Sequence, residues 1–322
     1  MEDSILNFAE QFSFEPEIIN GDDLHDNYES YILGGMGGSH LSGDVLKAYK
    51  PNLNLYSHKD YGVPVCHSDP QKNPLFIASS YSGNTEEVLD FMDEAYSKGF
   101  DVVAISTGGK LLEIARKEKI PFIKIPDTGI QPRSAIGFST IALAYIVLPE
   151  ALSKLHELSS KLKPKDIQKD GEELGKCLSK KIPIVYASNN NKALALNWKI
   201  KFNETGKIPS FYNLIPELNH NEMQGYDFSE INKGLSENFH FIIIADRDDT
   251  QRIIKRMEVT EDILESKGLP VTTIFLEGET RLEMIFRSII LADWTALELS
   301  KIYNTDPIAV PLIEGFKKKL DR

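Results

Sequence analysis

Cysteine and tryptophan are scarce in this 322-residue chain, with two of each. The cysteines, Cys66 and Cys177, are far apart and have neither the spacing of a thiolate metal site nor the density of a disulfide framework. That usage fits a reducing compartment, and a cytoplasmic protein is expected. No apolar run approaches the roughly 20 residues a spanning helix needs, and "MEDSILNFAE" lacks the basic-then-apolar order of a secretory signal. A membrane partner is therefore not expected. Positive charge is also short: 36 Lys and Arg against 48 Asp and Glu leave a formal charge of −12. Neutralising a phosphate backbone takes clustered cations, so nucleic acid is set aside as the main partner. The histidines form no H-x-x-x-H or H-x-H pair and join no cysteine–carboxylate cluster, so no metal is expected.

What is present is ordinary for a folded globular protein: 41% apolar and 26% charged residues, in a length sufficient for one large or two medium domains. From about residue 30, short apolar runs alternate with helix-like segments. "YILGG" (31–35), "LFIASS" (75–80), "DVVAIS" (101–106) and "PFIKIP" (121–126) predict buried strands, and "TEEVLDFMDEAYSKG" predicts a helix. "FSTIALAYIVLPEAL" (138–152), apolar nearly all round, predicts one buried helix. The polar, lysine-rich stretch 159–174 reads as a linker, with the possibility of a helix within it. The pattern then restarts, with strands at 181–190, 240–246 and 270–278 and helices at 192–204, 250–268 and 281–303. Alternating strands and helices imply right-handed crossovers and parallel sheets covered on both faces. The expected fold is α/β: an N-terminal extension (1–30), a first domain (31–158), the linker, and a second domain (175–322), each domain a parallel sheet flanked by helices.

Two turns in the first half could hold a ligand. "ILGGMGGSHLSGD" (32–44) places Gly34, Gly35, Gly37 and Gly38 after the first strand, where glycine lets a ligand approach the main chain, with Ser39 at the start of the next helix. A dinucleotide fingerprint fails in both possible frames: Met36 and Ser39 stand where one requires glycine, and His40 where the other does. No organic cofactor is expected. In "SSYSGNTEE" (79–87), Ser80, Ser82 and Thr85 converge where a strand ends and a helix begins, and Gly83 frees the turn. Unpaired N–H groups and hydroxyls at a helix N-terminus suit a phosphate dianion. The alternative is that Asn84 or Thr85 simply caps the helix, with Glu86 and Glu87 complementing its dipole.

"SSYSGNTEE", with "GGMGGSHLSGD" before it, "STGGKLLEIA" after it and "PELNHNE" in the second half, resembles the sugar isomerase (SIS) superfamily, and within it the bifunctional phosphoglucose/phosphomannose isomerases. The resemblance spans roughly residues 30–322 and implies two tandem SIS-type domains acting on sugar phosphates. It implies an aldose–ketose isomerase that interconverts glucose 6-phosphate, mannose 6-phosphate and fructose 6-phosphate through a cis-enediolate, without cofactor or metal. Ser39, Ser80, Ser82 and Thr85 would hold the phosphate, with Gly37, Gly38 and Gly83 bringing backbone close. The resemblance assigns the catalytic base to Glu204 in "KFNE". It assigns ring opening to His220, supplied across a homodimer interface, and enediolate stabilisation to Arg133. Lys301 would assist ring opening and Thr295 would lie near C1–C2. On the residues alone, Glu204 could be a solvated helix end, and spacing does not choose it over Glu217 or Glu222; His220 could be a turn histidine, Arg133 a surface cation or helix-dipole partner, and Thr295 and Lys301 packing or surface groups. Their separation of six also places Thr295 and Lys301 on different faces of a straight helix. Two other classes stay open: a non-catalytic SIS-type sensor, which usually adds a helix-turn-helix that the short acidic N-terminal stretch is not expected to supply, and another SIS-family isomerase.

Overall fold

The computed structural model describes residues 1–22, 24–25, 27–65 and 73–320; Cys66 and His67 lie outside them. The chain divides into two compact units, one of Asn7–Leu162 and one of Met1–Leu6 with Lys163–Arg322. The helix α1 (Glu2–Leu6) packs on helices of the second unit, while Phe8–Ser13 form a 3-10 turn of the first. The first thirty residues, read above as an extension, are therefore shared out between the two cores. Ile5 goes to one and Phe8 and Phe12 to the other.

In the first unit, β1 (Ser30–Gly34), α2 (Leu41–Tyr49), β2 (Leu55–His58), β3 (Pro74–Ser79), α3 (Glu86–Ser97), β4 (Asp101–Ser106), α4 (Gly109–Lys117) and β5 (Phe122–Lys124) follow in order. The five strands are all parallel, in the spatial order β2-β1-β3-β4-β5. The continuous apolar run of β3 is buried at every position, as a central strand covered on both faces should be. Residues 136–147 form α5 (Ile136–Val147), with ten of its twelve residues buried. The single helix expected over 138–152 breaks at Pro149, which lacks the N–H needed to continue the ladder. The chain restarts as a 3-10 turn and then as α6 (Leu152–Lys161).

The second unit contains α7 (Pro164–Cys177), β6 (Ile182–Ser188), α8 (Lys192–Glu204), β7 (Phe211–Ile215), β8 (Phe239–Ala245), α9 (Gln251–Ser266), β9 (Val271–Phe275), α10 (Arg281–Ile302) and α11 (Pro311–Leu320). Its four strands are also parallel, in the order β7-β6-β8-β9. Two α/β units with parallel sheets are what the alternation of strands and helices implies. The stretch 159–174 differs from the linker reading, because it closes α6 and supplies most of α7. Pro164 starts α7, and Gly171 lets it approach α10 so closely that a Cβ there would lie 2.3 Å from that of Trp294. The Trp294 indole donates back to the Pro164 carbonyl at 2.8 Å. Polarity along α7 marks a solvated helix face.

Each helix that follows a strand runs back against it. The C-terminus of α8 therefore lies at the N-terminal edge of the second sheet, and the segment after β7 lies at the C-terminal edge. The helix α8 is fixed against α10 by a buried ion pair, Lys201 Nζ to Asp293 Oδ1 at 2.7 Å. Removing one partner leaves the other charge desolvated, so Asp293→Ala should cost about 3–5 kcal/mol. Urea unfolding reads this directly, and an unchanged midpoint would show that the pair does not hold the helices.

Candidate active site

The strand order of the first sheet reverses direction between β1 and β3. Ligands of open parallel sheets bind outside the carboxyl ends of the strands at that point. The two turns singled out in the sequence are the ones that leave those strands. Ser39 is buried in a 3-10 turn, Gly37–His40, and its Oγ accepts from the Tyr81 N–H at 3.1 Å, linking the two turns. Gly37 has φ of +53°. Gly38 lies so close to the next turn that an added Cβ would be 3.0 Å from the carbonyl carbon of Pro132. That contact brings the Arg133 turn, Pro132–Ser134, against the glycine turn.

The Ser80 and Thr85 hydroxyls are 2.8 Å apart, and Ser80 Oγ accepts from the Gly83 N–H at 3.1 Å. Thr85 occupies the N-cap position of α3, yet its side chain makes no capping bond. The simple capping alternative therefore fails for Thr85, whose hydroxyl is turned to Ser80. Asn84 reaches sideways instead: its Oδ1 accepts from the Lys110 N–H at 3.1 Å. Ser82 is exposed, and its Oγ accepts from the Asn84 N–H at 3.3 Å. Gly83 has φ of +68°, and a Cβ there would lie 1.9 Å from the Gly108 carbonyl oxygen. Paired hydroxyls, a helix N-terminus and adjacent backbone form an arrangement suited to a small dianion.

Arg133 is buried, and its guanidinium reaches Gln131 Oε1 at 3.5 Å. Its turn is pinned by Gln11, whose amide donates to the Ser134 carbonyl at 2.7 Å and accepts from the Gly137 N–H at 2.9 Å. Sequence reasoning missed Gln11. The one available signal was a glutamine among the aromatics of "NFAEQFSF".

The second sheet also reverses direction, between β6 and β8, but that crevice is filled by its own side chains. Arg281 donates to Asp246 at 2.5 Å and to Asn191 Oδ1 at 2.7 Å, while Asn191 donates to Asp246 at 3.0 Å. Burial, with the charge of Asp246 nearby, pushes the Asp249 carboxyl up. The remaining candidates lie elsewhere in the unit. Glu204 is the last residue of α8 and half-buried. Its carbonyl accepts from Lys207 Nζ at 2.5 Å, and the same ammonium donates to the Ala309 carbonyl at 2.5 Å. Lys301, exposed in the last turn of α10, lies 3.4 Å from Glu2 Oε2. Thr295 is fully buried, and its hydroxyl donates to the Leu291 carbonyl one turn back at 2.8 Å. That geometry matches the packing alternative for Thr295.

His220 closes the 3-10 turn Glu217–His220, directly after β7, with its side chain exposed. The residues flanking it are hydrogen-bonded, Asn219 inward and Asn221 at the surface. Asn219 donates to Thr260 Oγ1 at 2.9 Å and accepts from Arg256 at 3.3 Å. Asn221 Oδ1 accepts from the Glu222 N–H at 2.6 Å. Glu222, which spacing alone leaves level with Glu204 and Glu217 as a candidate base, turns its carboxylate to Tyr186, Tyr226 and Asn213. Glu204 and His220 thus belong to opposite edges of one sheet. A five-residue strand spans about 16 Å, so the length of the strand separates them.

Comparison with known proteins shows the family and the fold. The family model described as the bacterial phospho-glucose isomerase C-terminal SIS domain matches residues 167–320. A bifunctional phosphoglucose/phosphomannose isomerase of Caldicellulosiruptor bescii is 33% identical, over 99% of this chain and 98% of its own. The chain belongs to the bifunctional phosphoglucose/phosphomannose isomerase family. Another member, from Thermoplasma acidophilum, is 32% identical over 91% of this chain and 90% of its own. The crystal structure of tagatose-6-phosphate ketose/aldose isomerase from Escherichia coli shares the fold, with a TM-score of 0.68 over 96% of this chain and 89% of that one, at 16% identity. No helix among the described residues is long and apolar enough to cross a membrane, and no three His, Cys, Asp or Glu side chains among them gather as metal ligands would.

Substituting Gly83 by alanine places a side chain in a left-handed backbone and against the Gly108 carbonyl. The turn must move, so inorganic phosphate is expected to bind about tenfold more weakly or worse, a loss of roughly 1.4 kcal/mol. Calorimetric titration of the variant checks this; wild-type affinity would place the anion site elsewhere.

Proposed function

We propose that this protein interconverts glucose 6-phosphate, mannose 6-phosphate and fructose 6-phosphate through a cis-enediolate, as a cytoplasmic homodimer. The observation that carries the reading is the grouping of hydroxyls at the switch point of the first sheet, in a chain matching the family over nearly its whole length. Ser39, Ser80, Ser82 and Thr85 anchor the phosphate, with the backbone of Gly37, Gly38 and Gly83 beside it. His220 opens the ring by moving a proton between the anomeric hydroxyl and the ring oxygen, and Lys301 assists. Glu204 takes the proton from C2 of the open aldose and returns it to C1, giving the ketose. Arg133 offsets the charge that develops on the enediolate oxygen. Both epimers can be served if rotation about C2–C3 presents either C2 hydrogen to the same carboxylate. Thr295 receives no role, since its hydroxyl is already bonded within α10.

The opposite-edge placement of Glu204 and His220 supports a site completed by a second copy of the chain. One molecule presents its histidine on the exposed loop after β7, far from its own carboxylate.

A coupled assay of fructose 6-phosphate formation from each aldose phosphate should show turnover of both. Turnover of neither, with tight sugar-phosphate binding, would select a sensor instead. Glu204→Gln should lower kcat by several orders of magnitude with little change in substrate affinity. Mixing inactive Glu204→Gln and His220→Ala proteins should restore part of the activity through hybrid dimers; no recovery would mean a site built within one chain.

A further inference from the structure

The loop that carries His220 is held to the sheet by a half-buried polar knot that the reaction scheme leaves unused. Glu222, two residues beyond the histidine, turns its carboxylate inward, where Oε1 accepts from the Tyr186 phenol at 2.5 Å and the Tyr226 phenol at 3.2 Å. Its Oε2 accepts from the Asn213 amide at 2.5 Å. Tyr186 is a buried residue of the central strand β6 and Asn213 belongs to the neighbouring strand β7, so one carboxylate joins the loop to two strands. Tyr226 ends the 3-10 turn Glu222–Tyr226 and packs its ring edge-on against Phe241 of β8, with centroids 5.0 Å apart. Burial, reinforced by the phenol of Tyr226 and the carboxylate of Glu222, drives the Tyr186 hydroxyl pKa strongly upward, and burial raises that of Tyr226 to about 12. Both phenols therefore remain donors. Three donors converge on a group that, ionised, accepts at both oxygens and donates at neither. On the other side of the histidine, Asn219 is tied to α9 through Thr260 and Arg256. The residues bracketing His220 are thus both anchored while the imidazole projects outward.

We infer that Glu222 is a positioning residue for ring opening: clamped by Tyr186, Tyr226 and Asn213, it fixes the reach and direction of the His220 side chain. The inference rests on the reading of His220 as the ring-opening group. Glutamine at 222 keeps the shape but turns one acceptor into a donor facing the donors above it. The loop loses its clamp while the sheet keeps its apolar core.

The measurement separates ring opening from isomerisation. Anomer exchange of glucose 6-phosphate, followed by NMR, reports ring opening alone, and the coupled assay reports the whole reaction. In Glu222→Gln, both rates should fall about 10- to 100-fold, since a misplacement near 1 Å can cost that much. KM should stay within about threefold of wild type and the thermal midpoint within a few degrees, because the phosphate site and the core are untouched. Wild-type rates would overturn the proposal, as would a rise in KM and a loss of stability with kcat unchanged. If Glu222→Gln does not fold, Tyr226→Phe removes a single donor and should give a smaller loss in both rates; no loss there overturns the proposal too. His220→Ala distinguishes the two levels. If it still catalyses anomer exchange, the reading of His220 is wrong; if it is inactive while Glu222→Gln is normal, only the positioning role falls.

Discussion

Parallel strands give the two edges of a sheet different chemistry, and the candidate site depends on that difference. At the carboxyl edge, strands release their chain into turns and helix N-termini, with N–H groups directed outward. At the amino edge, helices arrive with their C-termini. In the first unit, the turns after β1 and β3 flank the reversal of strand order and bring Ser39, Ser80 and Thr85 together without a single lysine. In the second unit, the corresponding reversal holds Arg281, Asp246 and Asn191, which satisfy one another. The two sheets thus differ at the same point: one groups hydroxyls and backbone N–H groups there, and the other holds an arginine already matched by its own carboxylate.

The second unit contributes chemistry from other places. Glu204 stands at the end of a helix whose register against α10 is set by the Lys201–Asp293 pair one turn earlier. A buried pair of this kind contributes little net stability relative to apolar residues, but it penalises any sliding that separates the charges. Its value here is positional. The same economy recurs around the other candidates, where a residue that touches no reacting atom locates one that would. Gln11 ties down the turn of Arg133, Lys207 bridges the carbonyls of Glu204 and Ala309, and Asn219 and Glu222 fasten the loop of His220 from both sides.

Where the sequence was hard to read, the reason is local. The strands β2 (LYSH) and β7 (FYNLI) went unrecognised because both are short edge strands with half-exposed residues, and neither has the apolar run of a central strand. The apolar stretch 138–152 looked like one helix because periodicity carries no information about a break that a single Pro149 imposes. The lysine-rich 159–174 looked like a linker because the solvated face of α7 supplies most of its residues, while its contact face is made of small ones such as Gly171 and Gly175.

The positions of the central strands along the chain, the α/β class, the two glycine- and hydroxyl-rich turns and the polar loop around His220 were all present in the chain as written. Each depends on neighbours in sequence: apolar alternation, glycine where backbone must come close, hydroxyls grouped at a strand end. Tertiary structure alone decided that Thr85 pairs with Ser80 and does not cap its helix, that Thr295 is enclosed, and that Glu204 and His220 face opposite edges of one sheet. It also decided that Glu222 meets Tyr186 and Asn213. Those outcomes depend on which groups distant along the chain arrive at the same point, and a linear pattern does not encode that distance.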